Sequence, residues 1–113
     1  MGGGMRQAGV IAAAGLVALR TMVERLADDH ARARRLAAAA AERWPGAGCD
    51  PEAVVTNVVV VRHDKPLQVV DHLREAGVLA GTIAPDVVRL VTHHDVDDAG
   101  IERSVRALDS APV

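Results

Sequence analysis

Residues 54–61 read Val54-Val55-Thr56-Asn57-Val58-Val59-Val60-Val61, β-branched at every position but Asn57. Such side chains are stiff at χ1 and pack well on a pleated surface, so the run predicts a strand. Val58, Val59, Val60 and Val61 put apolar groups on both faces, which suits a strand covered above and below; helices of this chain can cover one face, and the other wants a partner. Residues 87–92, Val87-Val88-Arg89-Leu90-Val91-Thr92, predict a second strand, and residues 78–80 a further one, joined to it by the segment from Gly81 to Asp86.

Helical patterns flank these strands. Residues 5–19 are rich in Ala and Leu without Pro and predict a helix that opens at Gly2-Gly3-Gly4. Residues 22–43 predict a second, with Met22, Leu26, Ala33, Ala37 and Ala40 on its apolar side and a stop at Pro45-Gly46. Asp64-Lys65-Pro66 opens a third, with Pro66 at its first position, Leu67, Val70 and Leu73 inward and Gly77 as its stop. Asp97 caps a last helix that buries Ile101, Val105 and Leu108. The order is ααβαββα. It predicts an α+β fold over a single domain, residues 1–113: two N-terminal helices, then a small, mainly antiparallel sheet with helices on one face.

Composition narrows the function. At 113 residues the chain is one domain, too short for a complete two-domain enzyme with an interdomain active site. Thirteen basic against fifteen acidic residues and one aromatic, Trp44, give neither a basic field nor a stacking platform, which argues against nucleic acid. The lone Cys49 cannot form an internal disulfide, so a reducing, cytoplasmic setting is expected. The apolar run 8–19 is about eight residues short of a bilayer span, and no small-x-small cleavage site follows it, so neither membrane nor secretion is expected.

That first helix is nonetheless apolar on every side, and such a helix is normally enclosed by other protein. The alternative is that small residues such as Ala12, Ala13, Ala14 and Gly15 are tolerated at a surface and the helix lies on the sheet.

Candidate chemistry is sparse. Gly4 and Gly9 have the spacing of a phosphate loop, but Val10 and Ile11 stand where Lys and Ser or Thr must follow. What remains is a glycine segment, the cation of Arg6 and a helix start, which hold one phosphate or carboxylate or act as a hinge. Arg89 shares a strand face with Val87 and Val91, so its guanidinium is expected among apolar groups and in need of an anion. That anion is a ligand carboxylate or an acidic side chain of the chain itself; otherwise Arg89 reaches solvent along an edge strand. His93-His94-Asp95 with Asp97-Asp98 has a metal-like composition but lacks a supporting ligand spacing, so no metal is expected. Cys49 has no basic neighbour in its loop and is not expected to be a nucleophile. His30, His63 and His72 fall on separate segments and are read as surface or satisfied groups.

Two stretches together resemble a known family. Gly2-Gly3-Gly4-Met5-Arg6-Gln7-Ala8-Gly9, followed by Ala12-Ala13-Ala14-Gly15-Leu16 and Leu26-Ala27-Asp28-Asp29-His30, is similar to the start of the C-terminal part of the low-specificity L-threonine aldolases. These are β-eliminating lyases among the fold-type-I pyridoxal-phosphate enzymes. Val88-Arg89-Leu90-Val91-Thr92-His93 with Asp95-Val96 resembles that family's second signature, and the element order agrees over nearly the whole chain.

The resemblance implies the small C-terminal domain of an enzyme that cleaves threonine and related β-hydroxy amino acids to glycine and an aldehyde. Pyridoxal 5'-phosphate, held by a lysine as a Schiff base, is the implied cofactor. Carried over, Arg89 grips the substrate α-carboxylate, Arg6 lies near the cofactor at a subunit boundary, and Thr92 and His93 support Arg89. No residue of this chain is implied as catalytic. The family's cofactor lysine lies upstream of the triple glycine, so it is expected to be absent here, and Lys65, the single lysine, falls outside both motifs. His94 stands where the family has an apolar residue, and Gly100 weakens the first turn of the last helix. Implied partners are the large domain of the same enzyme, further subunits of a homo-oligomer and an amino-acid substrate. On this reading the chain alone is inactive. The other class left open is an independent αβ module that dimerises or docks through its apolar first helix.

Overall fold

A computed structural model describes residues 3–113; Gly2 of the glycine segment lies outside them. The helices are α1 (Ala8–Val17), α2 (Leu26–Arg43), α3 (Pro66–Glu75) and α4 (Asp98–Asp109). The strands are β1 (Val58–Arg62), β2 (Gly81–Ala84) and β3 (Val87–Val91). The ααβαββα order and the α+β class stand as read. The three strands form one antiparallel sheet in the order β1-β3-β2.

Several boundaries differ from the sequence reading. The first strand begins at Val58, because Pro51–Ala53 forms a single 3-10 turn capped by Asp50, whose side chain accepts from the Glu52 amide. The strand read at residues 78–80 lies instead at Gly81–Ala84. Val78 and Ala80 pack against the core on the approach, and Val78 donates its amide to the Leu73 carbonyl, closing α3 before the strand begins. On α3 the inward residues are Val69, Val70 and Leu73, whereas Leu67 is 66% exposed. Val70 and Leu73 are inward as the pattern suggested, and Pro66 and Val69 take the place read for Leu67.

The core lies between the sheet and α2, α3 and α4. Val59 and Val61 of β1 and Val88 and Leu90 of β3 meet Ala33, Leu36, Ala37 and Ala40 of α2, Leu73 of α3, and Ile101 and Leu108 of α4. Val105 packs half-buried against this cluster. Alanines on α2 let the helix approach closely, and the branched strand residues fill the space between. Asp97 caps α4 as expected, accepting the Gly100 amide at 2.8 Å. The other face of the sheet is uncovered: Val60 is 43% exposed, and Val58, Arg89 and Val91 share that side. Helices of this chain thus cover one face of β1, and the second apolar face, at Val58 and Val60, is left open, as its pattern led one to expect of the chain by itself.

The first helix lies neither within this core nor on the sheet. None of its residues is buried; Val10 is 70% and Ile11 62% exposed. After Val17 the chain continues through a π-helical segment, Ala18–Met22, in which the Thr21 hydroxyl donates back to the Val17 carbonyl at 2.7 Å. Right-handed backbone angles persist at Val17, Ala18, Val23 and Arg25, so the break expected between the first two helices is a π bulge and not a loop. At 1.5 Å per residue the stretch from Ala8 to Arg43 spans about 54 Å. This matches the 51 Å long axis of a molecule only 28 and 26 Å across. The radius of gyration, 16.7 Å, exceeds the roughly 13 Å of a compact chain of this length because the arm projects.

Candidate functional site

The candidate site is the uncovered face of the sheet, and Arg89 stands at its centre. β3 is the middle strand, so Arg89 is flanked by Val60 of β1 and Gly81 of β2, its direct partners in the two ladders. Directly opposed residues of an antiparallel pair project to the same side. One row of the face is therefore Val60-Arg89-Gly81, with Val58 and Val91 on one side of it and Arg62 and Val87 on the other.

This placement corrects one expectation and removes two alternatives. Arg89 is exposed and not sunk among valines: Val88 and Leu90 take the covered face, and on the opposite one Arg89 and Val91 are exposed while Val87, next to the turn into β2, is buried. It is not on an edge strand. Among the described residues it has no acidic partner: the nearby carboxylate of Asp86 pairs with Arg62 at 2.7 Å, and the other acids in ion pairs serve Arg25, Arg32, Arg35 and Arg74.

The end of β3 is held more firmly than the sequence suggested. Thr92, fully buried, donates its hydroxyl to the backbone carbonyl of Asp29 on α2 at 2.7 Å. Its amide donates to the Asn57 carbonyl at 2.9 Å, and its own carbonyl accepts from Asn57 Nδ2 at 2.7 Å. Asp29 is only 2% exposed and is met by both guanidinium nitrogens of Arg25, at 2.7 and 3.0 Å. Arg32 reaches the same carboxylate at 4.0 Å and bonds Asp98 at 2.8 Å, linking α2 to the start of α4. Arg25, Asn57 and the burial of Asp29 went unread in the sequence. The Arg25–Asp29 spacing of four on a helix was the available signal.

The remaining sequence candidates are dispersed. Arg6 is exposed in the turn before α1, where Gln7 adopts a left-handed φ of 59°. Neither Arg6 nor Arg89 lines any of three clefts formed by the described residues, at the end of β3, beside Trp44 and beside Cys49. His93 is exposed beyond β3, and its Nδ1 accepts the Asp95 amide at 3.2 Å. Cys49 is half-buried against the Ala37 carbonyl, and burial, with the adjacent Asp50 carboxylate, pushes its thiol pKa up. That direction disfavours the nucleophilic thiolate. No helix among the described residues is long and apolar enough to cross a membrane.

A family model described as β-eliminating lyase matches residues 1–65, more than half of the chain. The chain belongs to the β-eliminating lyase family. Among curated relatives of this chain, the low specificity L-threonine aldolase of Escherichia coli strain K12 is 41% identical over 97 residues, covering 84% of this chain and 27% of the relative. The Arabidopsis thaliana protein named probable low-specificity L-threonine aldolase 2 is 38% identical over 109 residues, 90% of this chain and 30% of its own length. Low-specificity L-threonine aldolase 1 of the same plant is 29% identical over 116 residues, 98% of this chain and 32% of its own length. The chain thus spans less than a third of the length of the relatives it matches.

The residues of this chain do not by themselves fit a pyridoxal phosphate. Lys65 lines an open cleft with Arg43, Arg62, His63, Asp64 and Asp86, in which Arg62 is already paired with Asp86 at 2.7 Å and Arg43 donates to the Ala111 carbonyl at 2.8 Å, while Arg89 lies outside that cleft. What the uncovered face does fit is a carboxylate, for which Arg89 supplies a planar, permanently charged donor fork.

Proposed function

We propose that this chain is the C-terminal part of a pyridoxal-phosphate-dependent aldolase that cleaves L-threonine and related β-hydroxy-α-amino acids to glycine and an aldehyde. In this reading Arg89 binds the substrate α-carboxylate, and Arg6 lies beside the cofactor-binding region. The observation that carries it is the position of Arg89: the middle of an uncovered sheet face, with an exposed guanidinium that no acid of the described residues neutralises. The likeness to proteins named threonine aldolases supports the substrate class.

The chain's own share of the work is binding and orientation. A bidentate contact to the carboxylate fixes one end of the amino acid, so that the bond to be broken is held in a constant direction. Thr92, tied to α2 and to Asn57, anchors the strand end that presents Arg89. The bare α1 arm docks on the large domain or on a neighbouring subunit, which covers Val10, Ile11 and Leu19. The exposure of that arm also favours the second reading, an independent docking module without catalysis. Incubating the purified full-length protein that carries this stretch with L-threonine and pyridoxal phosphate separates the two. Formation of glycine and an aldehyde supports the aldolase; a folded, discrete oligomer that forms no glycine supports the module.

A further inference from the structure

β2 opens with a glycine that the described residues do not explain. Gly81 pairs directly with Arg89 in the ladder, and its φ lies outside the left-handed region, so its backbone conformation does not call for glycine. A Cβ built on it would meet nothing within 4 Å, so packing does not call for glycine either. By contrast Gly77, at the close of α3, has φ 78° and needs its freedom. A glycine inside a strand weakens it, and recurring reasons for one are a bulge or the close approach of a ligand or another backbone; the register shift of this ladder lies between Thr82 and Ala84, whereas Gly81 is itself in register with Arg89.

From these observations we infer that Gly81 is a clearance residue: it keeps one flank of the Arg89 guanidinium open, so that a substrate carboxylate enters from the β2 side. The other flank is walled by Val60. Any side chain at position 81 would rise beside the stem of Arg89, since directly opposed Cβ atoms stand about 4.5–5.5 Å apart. A branched one would occupy the volume through which the α-amino acid's carboxyl end approaches. The inference rests on the assignment of Arg89 to the substrate carboxylate.

The test compares Gly81→Ala, Gly81→Val and Arg89→Ala in the full-length enzyme, with KM and kcat for L-threonine and the melting temperature as readouts. Gly81→Val is expected to raise KM about tenfold while kcat changes less than about twofold, with Gly81→Ala between it and the parent. Because valine favours strands, the melting temperature of Gly81→Val should stay level or rise. A fall in melting temperature or failure to fold would show that Gly81 serves the fold, and the inference would be lost. An unchanged KM in Gly81→Val beside a raised KM in Arg89→Ala overturns the clearance role alone. An unchanged KM in Arg89→Ala overturns the carboxylate assignment itself.

Discussion

The hydroxyl of Thr92 donates to the backbone carbonyl of Asp29 across 2.7 Å, joining the end of the central strand to the second helix at a point where neither residue reaches solvent. Arg89 lies three residues before this junction, on the strand whose end it fixes. Thr92→Val keeps the shape and removes the donor. The expected cost is about 1 kcal/mol of stability, or a fall of about 4–8 °C in melting temperature by calorimetry. Thr92→Ser, which retains the hydroxyl, should fall less.

Arg25 and Asp29 form an unequal pair, with side-chain exposures of 21% and 2%. Removing Arg25 strands a buried carboxylate whose remaining cation, Arg32, lies at 4.0 Å. Arg25→Ala is therefore expected to cost about 3 kcal/mol in urea denaturation. Asp29→Asn leaves an arginine that swings out to water along its own stem, and should cost less, about 1–2 kcal/mol. The reverse order would mean that the carboxylate is not desolvated as described.

Cys49 gives a pH signature. Burial first, then the Asp50 carboxylate, raise its pKa above the ordinary thiol value. The fold thus favours the protonated thiol. Its contribution to stability is fully present below the ordinary thiol pKa and is lost as the pH rises through the folded value. Reaction with a disulfide reagent should begin at higher pH in the native chain than in the chain unfolded by urea. Coincident onsets would show that the thiol is free in solution.

The α1 arm separates stability from assembly. Ile11→Asp alters a residue 62% exposed and should change the stability of this chain by no more than about 0.5 kcal/mol. In the full-length enzyme the same change is expected to loosen the docking of the arm, seen as a smaller assembly on size-exclusion chromatography. An assembly of unchanged size would leave the arm without the partner proposed for it.

The parts of the fold that repeat along the chain were legible in its sequence. Runs of β-branched residues marked β1 and β3, and Asp97 marked the start of α4, because a capping bond spans only three residues. Alternation grouped Arg89 with Val87 and Val91, but which face would be covered depended on where α2 and α4 settled, information held in contacts 60 or more residues apart. β2 was misplaced because Gly81 and Ala84 carry too little side chain to show a pleat. The junction of Thr92, Asn57 and Asp29 was hidden for the same reason as the covered face. Each residue is ordinary in its own segment and becomes a clamp only when β3 ends against α2.

The central claim is that Arg89 is kept free of acids of its own chain in order to bind a carboxylate that arrives from outside it. The most direct measurement is the steady-state kinetics of Arg89→Ala in the full-length enzyme with L-threonine. A raised KM and a loss of about 2–4 kcal/mol in kcat/KM are expected, since a charged two-point contact disappears. A KM for L-threonine equal to that of the parent would contradict the account.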